Sequence, residues 1–354
     1  MAQPLKKMFS GRLIMAGING IDPDRETAML VRDYGVCNFI IFRRNVLQGP
    51  ERLQNLVSSV RRMCREEGLP EPVFAVDQEG GTVQRLAAPF WCDIQSNRSA
   101  AASLDAASAI KQQALSAASV LSSVGIDLNL APVLDLSGRA DNGVLRERTY
   151  SHDPDVTARL GNIYIETLQS EGVGATAKHF PGIGRVEQDP HERRPVVDAG
   201  KGCIIKDAGP FRAAVHSGVK AMMTSHVIYK GLDPDNPATF SQGIATRLLR
   251  DEFCFEGMLV TDDLEMGGVT GYGSIGHAAV KAVEAGHDLI LVCHEARRVV
   301  EAVTALEREL LKDGGFMRRV EEAAERIDAF RKWRHGRDCH GHTVSGNLLA
   351  GLIS

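Results

Sequence analysis

The 354-residue chain has no apolar run that approaches the roughly 20 residues needed to span a membrane as a helix. Its first seven residues lack the apolar core of a secretory signal peptide. The seven cysteines are scattered and none forms a Cys-x-x-Cys pair, which favours a reducing compartment over a disulfide-bonded one. With a net charge of −4 and no concentrated basic stripe, no nucleic-acid partner is expected. We therefore expect a cytoplasmic protein with no membrane partner.

Short apolar runs alternate with longer segments of helical periodicity along the chain. The strand candidates are Leu13–Ala16, Cys37–Phe42, Val73–Val76, Ile126–Leu130, Val173–Ala177, Val219–Met223, Met258–Val260 and Leu289–Val292. The helical candidates include Glu51–Arg65, Ala101–Ser123, Val156–Ser170 and Glu295–Leu311. Such alternation is typical of parallel β/α units. The sequence therefore predicts an α/β fold, most economically a (β/α)₈ barrel of TIM type. A doubly wound open sheet stays open as the alternative, because periodicity does not prove closure.

The length suits one such barrel with a short C-terminal helical extension. Residues 312–334 have the pattern of a final charged amphipathic helix, and the tail from His335 is rich in Gly and His. We assign residues 1–334 to a single barrel domain and residues 335–354 to a poorly anchored tail.

Polar side chains follow several of the predicted strands. These are Asp77, Asp135, Lys178-His179, Thr224-Ser225-His226, Asp262 and His294. In a barrel, all of these positions collect at the C-terminal face, where active sites lie. The segment after Lys178-His179 also carries Asp189-Pro190-His191 on a Gly-containing loop. Together these residues indicate a hydrolase with an Asp nucleophile and an Asp-His acid/base pair.

Several of these segments resemble the signatures of glycoside hydrolase family 3. They are Val76 to Leu86 (VDQEGGTVQRL), Leu130 to Asp135 (LAPVLD), Glu147 to Tyr150 (ERTY), Lys178 to Gly182 (KHFPG) and Thr261 to Met266 (TDDLEM). The similarity runs from about Leu13 to His294, with the motifs in order. The chain is most similar to the bacterial β-N-acetylhexosaminidases of the family, which are single-domain cytoplasmic enzymes of peptidoglycan recycling.

The resemblance implies hydrolysis with retention through a covalent glycosyl-enzyme, which needs a nucleophile and a proton donor. By motif match Asp262 is the nucleophile, and the neighbouring Asp263 has a capping or orienting role. The catalytic acid/base is His191, whose ordinary pKa of about 6.5 suits proton transfer in both directions. Asp189 fixes the ring tautomer of His191 and stabilises its cation. Pro190 between them restricts the loop, and we expect a lid that closes on the substrate.

Five further positions are implied to bind the sugar: Asp77, Arg85, Arg148, Lys178 and His179. Asp77 accepts hydrogen bonds from hydroxyl groups, and the cationic and imidazole side chains donate to hydroxyls and the acetamido carbonyl. The alternative for Arg85 is a surface residue, and for Lys178 and His179 an ion pair that supports the barrel. Arg146 stands where relatives usually have Gly and is a candidate for contacting a negatively charged leaving group.

The sequence therefore predicts a retaining exo-β-N-acetylglucosaminidase that acts on small peptidoglycan fragments and needs neither metal nor organic cofactor. Cys339-His340-Gly341-His342 in the tail is treated as inert rather than as a metal site. A family 3 β-glucosidase or β-xylosidase with the same nucleophile is one alternative. A catalytically inactive carbohydrate-binding barrel is another. An aldolase-like barrel is the third, and it would use Lys178 with a lowered pKa in a Schiff base.

Overall fold

Eight parallel strands form the centre of the molecule in a computed structural model that describes residues 9–138, 145–186 and 195–336. They are β1 Ile14–Gly17, β2 Asn38–Ile41, β3 Val73–Val76, β4 Leu128–Asn129, β5 Gly174–Phe180, β6 Ala221–Thr224, β7 Met258–Val260 and β8 Ile290–Val292. Each strand pairs in parallel with the next along the chain, and β1 also pairs with β8. Each predicted strand overlaps an observed one, because strands buried on both faces are continuous apolar runs.

The sheet closes between β7 and β8. Val260 forms a parallel bridge with Leu289, and the backbone N–H of Thr261 donates to the Leu289 carbonyl at 3.1 Å. A second bond from Leu264 to Leu291 continues this seam at 3.0 Å. The chain therefore forms a (β/α)₈ barrel rather than an open sheet, as the sequence predicted.

Helices surround the barrel. They are α1 Arg25–Tyr34, α2 Pro50–Glu66, α3 Asn97–Ala101, α4 Ala106–Ser123, α5 Pro154–Ser170, α6 Lys201–Asp207, α7 Gly209–His216, α8 Ile275–Ala285, α9 Ala296–Leu310 and α10 Gly314–His335. A π-helix spans Gly243–Glu252, and 3₁₀ turns span Arg43–Asn45, Ala238–Phe240 and Thr270–Tyr272. The single helix predicted over Ala101–Ser123 is wrong at its start. There α3 ends and Asp105 caps α4 by accepting from the Ser108 N–H at 3.0 Å.

The final helix α10 closes the N-terminal end of the barrel. Ile327 and Phe330 of α10 pack in one cluster with the residues that fill the barrel interior. Phe330 lies so close to β5 that a Cβ added at Gly174 would stand 2.5 Å from its ring. The charged amphipathic helix expected from the sequence is therefore part of the core. The boundary between barrel and tail stays a prediction, because residues 337–354 lie outside the described part of the chain.

Short strands beyond β3 shape the opposite, C-terminal end. Gln78–Gly80 and Val83–Gln84 form an antiparallel hairpin whose turn uses positive φ angles at Gly80 and Gly81, 94° and 58°. The hairpin therefore returns Arg85 toward the end of β3. A small second sheet contains Val196–Val197, Ile228–Tyr229 and Asp233–Pro237. In the described part of the chain, no helix is both long and apolar enough to cross a membrane.

His287 is a buried neutral imidazole just before β8. Its Nδ1 lies 3.1 Å from the Ala282 carbonyl and its Nε2 lies 2.8 Å from the Thr224 hydroxyl. Because a carbonyl only accepts, Nδ1 carries the proton and the Thr224 hydroxyl donates to Nε2. Burial, which disfavours the charged ring, lowers the pKa of His287 to about 3.

We expect His287 to weaken the fold as the pH falls. Its pKa is depressed in the folded state, so below about pH 6.5 the imidazole is protonated in the unfolded chain but stays neutral in the folded one. Between pH 7 and pH 5 this costs about 2 kcal/mol of unfolding free energy. His287→Gln should be less stable at pH 7 yet lose about 2 kcal/mol less than the wild type on acidification to pH 5.

Urea unfolding at the two pH values measures this difference. The carboxylates contribute equally to both proteins, so the comparison isolates the imidazole. Equal losses in the two proteins would contradict a neutral His287.

Candidate active site

A cavity of about 700 Å³ opens at the C-terminal end of the barrel. Asp77 lines it at the end of β3, Lys178 and His179 at the end of β5, and Asp262 at the end of β7. Arg85, after the hairpin, and Arg148 also line the cavity. The structure thus brings together the proposed nucleophile and all five proposed sugar-binding residues. Asp189, Pro190 and His191 lie outside the described residues.

A chain of alternating charges crosses the cavity floor. Lys178 Nζ lies 2.8 Å from Asp77 Oδ1 and 2.6 Å from Glu79 Oε1. Arg85 Nη2 bonds Asp77 Oδ2 at 3.0 Å. Arg148 grips Glu79 with two hydrogen bonds, from Nε at 2.7 Å and from Nη2 at 2.8 Å. The order of charges is therefore Arg85, Asp77, Lys178, Glu79 and Arg148, with each carboxylate between two cations.

This pairing keeps the buried carboxylates ionised. The Glu79 side chain is fully buried and that of Lys178 is 3% exposed. Burial alone would raise the pKa of Glu79, but Lys178 and Arg148 more than offset it and hold the pKa below its ordinary value. Burial likewise opposes ionisation of Asp77, and Lys178 and Arg85 lower its pKa. The site therefore presents fixed charges at neutral pH.

Among these five charged residues, Glu79 is the one to which the sequence interpretation gave no role. Alternate residues of an extended segment share a face, so Asp77-x-Glu79 carried a signal that the two carboxylates lie together. Their shared partner was not visible, because Lys178 is 101 positions after Asp77 in the chain.

Lys178 has the contacts of an ion-paired ammonium. Burial would lower its pKa, but Asp77 and Glu79 more than reverse this and raise it. A Schiff-base lysine needs the opposite shift, so the geometry argues against the aldolase-like alternative. The alternative of an ion pair that supports the barrel describes these contacts of Lys178. Lys178 also lines the cavity, so the ion pair and a sugar-binding role are compatible.

His179 is oriented by a buried carboxylate. Its Nδ1 lies 2.7 Å from Asp135 Oδ2, and the Ile183 N–H donates to Asp135 Oδ1 at 2.9 Å. Because a carboxylate only accepts, the proton is on Nδ1, and Nε2 is left as the second polar atom of the ring. The register of β5 shifts between Lys178 and Phe180, a bulge of the kind that re-aims side chains, and Lys178 and His179 both line the cavity. Asp135 thus fixes both His179 and the start of the following loop.

The two adjacent aspartates after β7 have different partners. Asp262 lines the cavity and accepts one backbone bond, from Asp263 N at 2.8 Å. The Asp263 carboxylate accepts from the N–H groups of Glu265 at 3.1 Å and Cys293 at 3.3 Å. Neither aspartate caps a long helix, since α8 begins only at Ile275. Asp263 therefore holds the turn, and Asp262 is the carboxylate less restrained by the protein.

Ser225 and His226, after β6, brace these loops. His226 Nε2 lies 3.0 Å from the Asp263 carbonyl oxygen, which fixes the turn that carries Asp262. Ser225 Oγ contacts the Tyr229 hydroxyl at 2.9 Å, and that hydroxyl donates to the Gly182 carbonyl at 3.0 Å. The loops after β5 and β7 are thus both anchored to β6.

His294 stands at the cavity rim after β8. Its Nε2 lies 3.2 Å from Asp263 Oδ2, and its side chain is 54% exposed. The hydrogen bond to Asp263 raises the pKa of His294 above its ordinary value. The ring also packs against Phe42, with 5.5 Å between centroids. His294 lies beside the aspartate turn without contacting Asp262 directly.

Known proteins with similar sequences are β-hexosaminidases. The model of the glycosyl hydrolase family 3 N-terminal domain matches residues 8–329. A β-hexosaminidase of Nitrosomonas eutropha is 35% identical over 317 residues, which cover 85% of this chain and 86% of that protein. One from Pseudomonas aeruginosa is 34% identical, covering 83% and 86%.

Solved structures give the same result. A family 3 β-N-acetylglucosaminidase from Paenibacillus superposes with a TM-score of 0.89 at 34% identity, over 96% of this chain. The chain spans 65% of that longer enzyme. NagZ from Neisseria gonorrhoeae superposes with a TM-score of 0.74 at 28% identity, over 88% of this chain and 97% of NagZ.

These relatives support β-N-acetylglucosaminidase activity. The family model covers most of the chain, and the relatives exceed 30% identity over more than four fifths of it. The chain belongs to glycosyl hydrolase family 3 and is a glycoside hydrolase.

Proposed function

We propose that this enzyme is a retaining exo-β-N-acetylglucosaminidase of peptidoglycan fragments. Its substrate is N-acetylglucosamine β-1,4-linked to anhydro-N-acetylmuramic acid, with or without a peptide, and its place of action is the cytoplasm. The observation that carries the proposal is the buried chain of charges in the cavity that also holds Asp262. Fixed donors and acceptors of this kind suit the hydroxyl groups of one terminal sugar.

Asp262 is proposed as the nucleophile. A retaining enzyme needs an ionised carboxylate that attacks the anomeric carbon, followed by hydrolysis of the glycosyl-enzyme. The bond from Asp263 N to Asp262 Oδ1 orients the carboxylate, and Oδ2 is available for attack. Asp263 is occupied by the backbone groups that it holds.

Asp189 and His191 are proposed as the acid/base pair. They follow Ile183 in the sequence by six and eight residues. The Ile183 N–H donates to Asp135 and the Gly182 carbonyl accepts from Tyr229, so the described segment that leads to them is fixed beside His179. In the reaction, His191 starts as the imidazolium, which Asp189 stabilises, and donates its proton to the leaving oxygen. The neutral ring then removes a proton from the incoming water and becomes the imidazolium again.

The sugar-binding roles follow from the contacts on the cavity floor. Lys178 has three N–H donors. It donates one to Asp77 and forms an ion pair with Glu79, and its ammonium group lines the cavity, where we propose that it also donates to a sugar hydroxyl. Asp77 and Arg85 offer further acceptors and donors, and Arg148 and His179 line the adjoining wall. Because the ions already hold one another in place, little ordering accompanies substrate binding.

A β-glucosidase or β-xylosidase with the same nucleophile is the competing function. Matched p-nitrophenyl β-glycosides separate the two: the purified enzyme should prefer the N-acetylglucosaminide over the glucoside and the xyloside by at least about 100-fold in kcat/KM, since a site built for the acetamido group leaves polar groups unpaired without it. Equal rates, or a preference for glucoside or xyloside, would overturn the substrate assignment. No turnover of any glycoside would favour a carbohydrate-binding barrel.

Removal of the nucleophile should abolish turnover while the fold is retained. We expect Asp262→Ala to lower kcat by at least about 10³-fold, because the carboxylate proposed to attack the anomeric carbon is lost. Asp263→Asn is the matched control, since an amide oxygen still accepts a backbone bond, and it should lose far less. Steady-state rates and thermal unfolding of both variants give the comparison. Comparable losses in the two would contradict the assignment.

Loss of the acid should depend on the leaving group. We expect His191→Ala to slow cleavage of the natural disaccharide by about 10²–10⁴-fold, because its sugar alcohol needs protonation to depart. A p-nitrophenyl glycoside, whose phenolate departs unaided, should be slowed much less in glycosylation. Rates on both substrates test this, and equal losses on the two would show that His191 is not the acid.

A further inference from the structure

The turn after β2 places two consecutive arginines at the cavity rim. Asn45 fixes this turn: its side-chain oxygen accepts from Phe42 N at 2.8 Å, and its amide donates to the Ile18 carbonyl at 2.9 Å. Arg44 donates from Nε to the Ile18 carbonyl at 2.7 Å and from Nη2 to the Cys293 carbonyl at 2.9 Å. Arg44 and Asn45 thus bind the turn to the barrel.

These neighbours fix the backbone of Arg43, but the Arg43 side chain takes no part in their hydrogen bonds. It is exposed, and it lines the cavity. Within residues 9–138, 145–186 and 195–336, no carboxylate forms an ion pair with Arg43. The other lining cations are engaged: Arg44 with backbone carbonyls, and Arg85, Arg148 and Lys178 with the two floor carboxylates. Among the described residues, Arg43 is therefore the arginine of the cavity lining whose guanidinium is left for a ligand.

The exposure of the lining side chains increases from the floor of the cavity to its rim. The floor contains Glu79 and Lys178, whose side chains are 0% and 3% exposed, whereas His294 at the rim is 54% exposed. If the terminal sugar occupies the buried polar end, as the proposed function requires, the leaving group extends toward the rim. Arg43 is then on the side of the leaving group rather than on that of the cleaved sugar.

We propose that Arg43 is a specificity residue that recognises a carboxylate on the leaving group. A guanidinium matches a carboxylate with two parallel N–H donors and is charged at every working pH. Arg146, the residue for which the sequence suggested this role, is not among the described residues that line the cavity. The inference rests on the proposed exo-hydrolysis and adds the residue that recognises the lactyl carboxylate of the leaving group.

Two substrates that differ only in that charge test the proposal. One is N-acetylglucosaminyl-β-1,4-anhydro-N-acetylmuramic acid with its free lactyl carboxylate, and the other is the same disaccharide with the lactyl group as a carboxamide. The wild type should cleave the acid about fivefold faster in kcat/KM, a size typical of an exposed ion pair. Added salt should reduce this preference, because an exposed pair is screened.

Arg43→Gln should remove the preference by slowing only the acid, while the carboxamide and the p-nitrophenyl glycoside are cleaved as before. Arg43→Lys should keep part of the preference, since it retains the charge but loses the planar fork. Arg65→Gln on the exposed surface of α2 makes the same change in net charge away from the cavity, and it should leave the preference intact.

The outcomes separate this inference from the proposed function. Cleavage of both disaccharides at equal rates by the wild type would overturn the role of Arg43 while leaving the N-acetylglucosaminidase activity in place. A preference for the acid that persists in Arg43→Gln would also overturn it. If neither disaccharide is cleaved, the proposed function fails. Calorimetry then tests the anion site separately: the wild type should bind the acid more tightly than the carboxamide, and Arg43→Gln should bind the two equally.

Discussion

The ion pairs of Lys178 with Asp77 and Glu79 are the interaction on which the site depends. Without a cation between them, the buried Glu79 and the half-buried Asp77 would repel each other and take up protons. Burial of each ion costs several kcal/mol, which the partners offset only while every member is present. Because Asp77 follows β3, Glu79 lies in the hairpin and Lys178 ends β5, one ammonium group joins three segments of the barrel rim.

The barrel separates this charged end from an apolar one. Alternate strand residues fill its interior, and Ile327 and Phe330 of α10 close the N-terminal end. The Phe330 ring packs so closely against Gly174 that position 174 has no room for a side chain. Apolar packing therefore closes one end, and the loops at the other end carry buried ions and an open cavity, as in other barrels of this type.

The sequence was sufficient for the strands and for most of the rim residues that line the cavity, because both depend on local pattern. Asp135 and Thr224 are exceptions, since both are buried behind the cavity and bond His179 and His287. Apolar runs mark buried strands, and polar residues at their ends mark the rim. Pairings between distant segments could not be predicted in this way. Glu79 acquires its role only through Lys178 and Arg148, and the docking of α10 under the barrel depends on tertiary packing. Arg43 and Arg44 are adjacent residues of the same type, so the sequence does not distinguish their roles. The structure does, because Arg44 donates to two backbone carbonyls and Arg43 has no carboxylate partner in the described part of the chain.

The distribution of charge explains how one cavity could read two different parts of a substrate. On the floor, every charge faces an opposite charge at 2.6–3.0 Å, so that end presents hydrogen-bonding atoms held in fixed positions. Such a floor recognises neutral hydroxyl and amide groups by position. It cannot select a leaving group by charge, because it lies at the buried end, away from the leaving group. Selection of an acidic leaving group must therefore come from the rim, where Arg43 is fixed by its backbone turn but has no carboxylate partner in the described part of the chain.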